Sequence, residues 1–367
     1  MNQLHRNIDE WFLGYKTRRT KPKSGQDIHL NKNHSSPSTD TQSGFTYSPT
    51  KNKSSQGVYP RGSISSKPLK AGFGVANLKA AALKHPEVMV KIPTRKSANS
   101  KGMKGIRNHV DYISRNGELA LEDRDGNLIS GKKEINEFLK GWKNLNIPEK
   151  SKYKEALNVV LSMPAGTDPV AVKNAARTFA EEQFEKHEYL FVQHLDQQHP
   201  HVHICVLMRD EQGKRMNPRK NDLFEWRVRF AEKLREEGVV CAATRRQHRG
   251  RTQKPENSRL RRMRKRGSPA NVHKLEALEL LEALKNNDRP KHPFLKETMQ
   301  TRGIIVEKYG LIARELYKMG NKEEARILSK LAKEVNQAGF TTQPQQRFDD
   351  VKGRTIDINI SSKIERS

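Results

Sequence analysis

Residues 158–237 constrain the fold more than any other part of the chain. NVVLSM (158–163) is apolar and β-branched and runs into PAGTDP, which reads as a strand followed by a turn. Asp168 then stands where a helix N-cap belongs, with Pro169 at the first helical position, and Val172, Ala176, Phe179 and Ala180 recur at helical spacing. Two short apolar runs follow, residues 189–194 and 203–208, and then a turn at Glu211-Gln212-Gly213. LFEWRVRFAEKLREE (223–237) is an amphipathic helix that Gly238 stops. If the two central runs pair as neighbours, strand, helix, strand, strand, helix gives an α+β fold, a sheet with helices packed on it.

The patterned region extends from about residue 75 to 250 and is flanked by different material. Residues 21–72 are Ser, Thr, Asn, Gln, Pro, Gly and Lys with few apolar side chains, so they cannot offset their ordering entropy and are expected to be disordered. A short amphipathic helix over residues 4–15 precedes them, making residues 1–74 a helix and a polar linker. Between residues 239 and 268 eleven Arg and Lys side chains face Glu256 alone; residues 251–290 are read as a basic arm and linker. Ile305, Tyr309, Ile312, Leu316 and Met319 step by four and three, Gly320 interrupts, and Asn321 with Glu324 starts a helix carrying Ala325, Leu328, Leu331 and Val335. That predicts a helical hairpin over residues 291–340, with a polar tail over 341–367.

Charge and composition narrow the function. With 70 Lys and Arg against 42 Asp and Glu the net charge is +28, and only 34% of residues are hydrophobic, which points to a polyanion partner, most economically nucleic acid. No run approaches the roughly 18 apolar residues of a membrane helix, and no signal-peptide pattern opens the chain, so neither a membrane-spanning nor a secreted protein is expected. Cys205 and Cys241 are far apart and form neither a disulfide framework nor a cysteine zinc site, which suits a reducing cytoplasm.

The segment QHLDQQHPHVHI (193–204) holds four of the 13 histidines. His201 and His203, two apart, project from the same face of a strand, and an antiparallel return through DQQHP brings His194 beside them. Three imidazoles from two adjacent strands make an open facial site for a divalent metal, with zinc, manganese, cobalt and nickel all suited by donor softness. Asp196 is placed to orient one imidazole from behind.

HLDQQHPHVHICVLMRD, with GKRMNPRKNDLFEWRVRFAEKLREEGV and ATRRQHRG after it, resembles the conjugative relaxases, or mobilisation nucleases, in particular their P-type class of histidine-hydrophobic-histidine nucleases. The resemblance covers about residues 101–251. GIRNHVDYISRNGEL looks like the family's first motif, which puts the nucleophilic tyrosine at Tyr112; NVVLSMPAGTDP looks like its second, which puts a DNA-contacting serine at Ser162. The resemblance implies a central antiparallel sheet of about five strands and one divalent ion, magnesium or manganese. It also implies nicking of single-stranded DNA at a transfer origin, and partnership with accessory relaxosome proteins and the coupling ATPase of a type IV secretion system. The place of action would be the bacterial cytoplasm, with export covalently linked to DNA.

On a helix over residues 104–116, Ile106, Val110 and Ile113 form the apolar stripe and Tyr112 falls about a quarter turn off it, with His109 and Asn108 as its i−3 and i−4 neighbours. A phenolate attacking a phosphodiester keeps the bond energy as a phosphotyrosine, so the cut can be resealed. Because the reference phenol pKa is about 10, a metal or a base must assist, and Asp196 and His199 are the candidate bases. The arginines Arg245, Arg246, Arg249 and Arg251 open the basic run that would hold the strand. Two alternatives stand beside the relaxase. One is a rolling-circle replication initiator of the same chemistry, against which the order of tyrosine before histidines argues. The other is a non-enzymatic basic DNA-binding protein with a structural metal.

Overall fold

A computed structural model describes residues 3–14, 68–93, 101–251, 256–268 and 270–364. It divides into two compact units, residues 1–244 and 245–367. Of the polar stretch expected to be disordered, residues 21–67 lie outside the described residues.

The first unit is α+β. Its sheet has six strands, β1 (Met89–Lys91), β2 (Leu121–Asp123), β3 (Leu128–Ile129), β4 (Ala156–Ser162), β5 (Tyr189–His194) and β6 (His201–Leu207). They lie in the order β1-β4-β6-β5-β2-β3, and every pairing is antiparallel. The three long strands are those readable from the sequence; the short β1, β2 and β3 bring the total to six against the expected five or so.

Both faces of the sheet are buried by helices. One face carries Leu190 and Val192 of β5 with Cys205 and Leu207 of β6, which pack with Met103, Ile106, Val110 and Ile113 of α3 (Gly102–Ile113) and Ile135, Leu139 and Trp142 of α4 (Gly131–Lys143). The alternate residues point to the other face, where Phe179 of α5 (Pro169–Gln183) meets Phe230 of α6 (Lys220–Glu236) and Phe184 meets Trp226. Trp226, Phe224 and Phe230 are therefore core side chains. Helix α5 begins as its sequence indicates: the Asp168 carboxylate accepts from the amides of Val170 and Ala171 at 3.0 and 3.2 Å, with Pro169 behind it.

The N-terminal helix α1 (Gln3–Leu13) belongs to this unit. Ile8, Phe12 and Leu13 are buried, and the Phe12 ring lies 6.2 Å from Phe73 of α2 (Phe73–Ala82) and 5.5 Å from Phe224.

The second unit is helical. After a single 3-10 turn (Arg246–Arg249) come α7 (Ser258–Lys265), α8 (Asn271–Lys285), α9 (Leu295–Lys318), α10 (Lys322–Gln337) and α11 (Gln343–Ile364). Helices α9 and α10 are the expected hairpin: Ile305, Tyr309, Ile312 and Leu316 pack on Ala325, Leu328, Leu331 and Val335, while Met319, at the end of the stripe, is 40% exposed. Two stretches differ from expectation. The basic arm contains α7 and α8, since arginine, lysine and leucine are good helix formers whatever their charge, and α11 occupies the expected polar tail. Among the described residues no helix is long and apolar enough to cross a membrane.

Candidate active site

Cross-strand register assembles the candidate site. His201 of β6 stands directly opposite Ser162 of β4 on one side and His194 of β5 on the other, and His203 follows two residues along β6. Directly paired residues share a face of the sheet. Ser162 and the three histidines therefore look toward α3, where Cys205 and Leu207 continue the same face as core.

The imidazole ring centroids of His194, His201 and His203 are 4.5 to 5.2 Å apart. One nitrogen from each lies within 4.8 Å of the others. Two rings are fixed by backbone carbonyls. His194 Nε2 donates to the Ile113 carbonyl at 2.6 Å, an otherwise free acceptor at the C-terminus of α3, and His201 Nδ1 donates to the His199 carbonyl at 2.9 Å. Each of these histidines then keeps a lone pair on its other nitrogen. His203 Nδ1 is buried without a hydrogen-bond partner. Burial lowers the His194 pKa, and burial with the neighbouring His194 and His201 pushes His203 down to about 3. Rings oriented by carbonyls, with an orphaned nitrogen among them, are what a divalent cation requires. The residues fit a metal ion.

Tyr112 lies on the outward side of the last turn of α3, half-exposed at 51%. Its ring is edge-on to His203 at 6.3 Å and stacked at 6.5 Å against His109, which is buried. The helix wheel, which puts Tyr112 off the apolar stripe, holds.

The remaining sequence candidates are distributed unevenly. The Asp196 carboxylate bonds no imidazole; it accepts from Arg115 Nη2 at 2.5 Å, which holds its pKa below the usual carboxylate range. The His199 ring is exposed and outside the cluster, and only its carbonyl takes part. Ser162 Oγ makes a long contact of 3.4 Å to the Met163 carbonyl. Arg245, Arg246, Arg249 and Arg251 fall in the second unit, in or beside its 3-10 turn. There Tyr309 donates to the His248 carbonyl at 2.6 Å and Arg302 to the Gly250 carbonyl at 3.3 Å, which fixes the turn on α9.

Arg115 was not a sequence candidate. It follows α3 in a left-handed run, with φ of 55° at Arg115, 58° at Asn116 and 97° at Gly117. Glycine is required at the third position, since a Cβ there would come within 2.6 Å of the Lys132 backbone nitrogen. The reversal carries the guanidinium back over the helix end: it lies 5.5 Å from the Tyr112 ring centroid, donates to the Tyr112 carbonyl at 3.4 Å and comes within 3.4 Å of His194 Nδ1.

The sequence profile of the relaxase nuclease domain, MobA/VirD2-like, matches residues 112–239, beginning at Tyr112 and spanning all three histidines. The chain carries a relaxase nuclease domain. Relatives of this relaxase domain include proteins named T-DNA border endonuclease VirD2. That of Agrobacterium fabrum is 29% identical over 177 residues, covering 42% of this chain and 39% of the relative. That of Rhizobium radiobacter is 30% identical over 193 residues, covering 45% and 44%. The Rhizobium rhizogenes protein is 28% identical over 177 residues, covering 42% and 40%. The chain thus spans less than half the length of the curated relatives it matches. No solved structure matches it.

Proposed function

We propose that the protein is a site- and strand-specific DNA-nicking and closing transesterase that begins conjugative transfer or mobilisation at a transfer origin. The observation that carries this reading is the exposed Tyr112 phenol edge-on to His203, one of three clustered imidazoles.

The Tyr112 oxygen attacks the scissile phosphorus. A bond forms between that oxygen and phosphorus, the bond from phosphorus to the 3′ oxygen breaks, and the leaving oxygen takes a proton to become a free 3′ hydroxyl. The 5′ phosphate stays on Tyr112 as a phosphotyrosyl ester, and the reverse reaction reseals the strand. The phenol's proton passes to a base on the DQQHP turn, Asp196 or His199. His194, His201 and His203 would hold a divalent ion, magnesium or manganese on the family's precedent and zinc, cobalt or nickel by donor chemistry, which would supply Lewis-acid neutralisation of phosphate charge. Ser162, on the same face of the sheet, contacts the strand near the nick. Arg245, Arg246, Arg249 and Arg251 neutralise phosphates of the single strand. Accessory relaxosome proteins and a coupling ATPase of a type IV secretion system are the proposed partners, with action in the bacterial cytoplasm and export attached to the DNA.

The test is a supercoiled plasmid carrying the origin of the protein's own element, incubated with and without EDTA. Metal-dependent relaxation with protein on the 5′ end, lost in Tyr112→Phe, is expected. Nicking retained by Tyr112→Phe would overturn the nucleophile, and no nicking by the wild type would overturn the activity.

A further inference from the structure

We propose that Arg115 is a catalytic residue of this centre, a permanent cation that grips the non-bridging oxygens of the scissile phosphate while Asp196 aims it. The proposal rests on the relaxase reading.

Four observations carry it. First, the guanidinium spans the groups that must cooperate, touching the Tyr112 backbone, overlying its ring and reaching His194 and Asp196. Second, it reaches them through a left-handed turn at two non-glycine residues, Arg115 and Asn116, a conformation that persists where the surroundings impose it. Third, the Arg115 and Asp196 side chains remain 34% and 48% exposed, so a strand lying on Tyr112 has access to the pair. Fourth, an arginine has five donors in a planar fork, and the contacts to Asp196, the Tyr112 carbonyl and His194 Nδ1 do not exhaust them.

The chemistry needs such a group. A phosphodiester brings one negative charge beside a nucleophile that must itself become anionic, and charge accumulates on the phosphoryl oxygens in the transition state. A guanidinium stays charged at any working pH and meets two phosphate oxygens at once, which a lysine ammonium does not. Asp196, whose carboxylate bonds Arg115, then acts as a positioning residue that fixes the fork beside Tyr112.

The rival reading makes the Arg115–Asp196 pair a structural staple between the end of α3 and the β5–β6 turn. Binding separates the two. After the nick is mapped with the wild type, two oligonucleotides ending at that position, one with a 3′ phosphate and one with a 3′ hydroxyl, are titrated by fluorescence anisotropy in EDTA. The wild type is expected to bind the phosphorylated strand about 10- to 100-fold more tightly, the scale of a charge-assisted contact. Arg115→Ala should lose that gain and Arg115→Lys should keep part of it. Asp196→Asn should reduce it in the wild type and have no further effect on an Arg115→Ala background. Thermal melting shows that the variants are folded. If Arg115→Ala retains the full gain, or the wild type shows none although it nicks, the proposal is overturned while the relaxase reading stands. If the wild type does not nick its authentic origin, the relaxase reading fails and takes the proposal with it.

Discussion

The two units place their polar groups by opposite means. In the first, the candidate chemistry is assembled by contacts between residues far apart in sequence: His194 bonds a carbonyl 81 residues upstream at the end of α3, and Ser162, His201 and His194 line up across three strands. In the second, the basic side chains of α7 and of the 3-10 turn are carried on short local elements, and most are exposed. The difference matches what each proposed task demands. Transfer at phosphorus requires groups held to within fractions of an ångström, which packed sheet register provides. Neutralising a polyanion requires charge at roughly the right spacing, which exposed helices provide.

Metal binding offers the sharpest way to break this contrast. His203→Ala removes one of three ligands and should weaken manganese binding by more than about 100-fold, measured by titration calorimetry, since loss of an outer-shell partner alone commonly costs 10- to 100-fold. The same substitution should leave the salt dependence of DNA binding unchanged. Replacing Arg245, Arg246, Arg249 and Arg251 together with glutamine should do the converse. Up to four phosphate contacts disappear, so the slope of log K against log salt should fall by up to about 3 for single-stranded DNA, with metal affinity unaltered. A His203→Ala protein with a changed salt slope, or a four-glutamine protein with wild-type slope, would erase the division of labour.

What the sequence made legible follows the same line. Strands β4, β5 and β6 and the α9–α10 hairpin have runs long enough to show a period, and the histidine spacing fixed their common face once β6 was a strand. Strands β1, β2 and β3 are two or three residues long and carry no period at all. Sequence proximity points Asp196 at an imidazole, whereas the partner its carboxylate bonds, Arg115, arrives from 81 residues away. Arg115 itself left no signal, since its place depends on left-handed backbone at residues where glycine is not obligatory. Docking of α1 was equally hidden, because Phe73 and Phe224, against which Phe12 packs, lie beyond a long polar stretch.

The smallest expected effect tests whether α1 is part of the first unit's folding. Asp9 on α1 is buried and its carboxylate accepts from the amides of Gly72 and Gly74 at 2.8 and 2.7 Å, yet burial outweighs these bonds and lifts its pKa from 3.8 to about 6. Between those values the folded state binds more protons than the unfolded chain, so stability falls as pH rises through that window, by at most about 3 kcal/mol. Asp9→Asn keeps a polar side chain and removes the titration. The three tryptophans, Trp11, Trp142 and Trp226, all belong to the first unit, so their fluorescence reports its urea unfolding separately from the helical second unit. Wild-type midpoints by fluorescence should fall from pH 4 to pH 7 more steeply than those of Asp9→Asn. Equal slopes would mean that the Asp9 carboxyl titrates alike in the folded and unfolded chain, and that α1 does not bury it against Gly72 and Gly74.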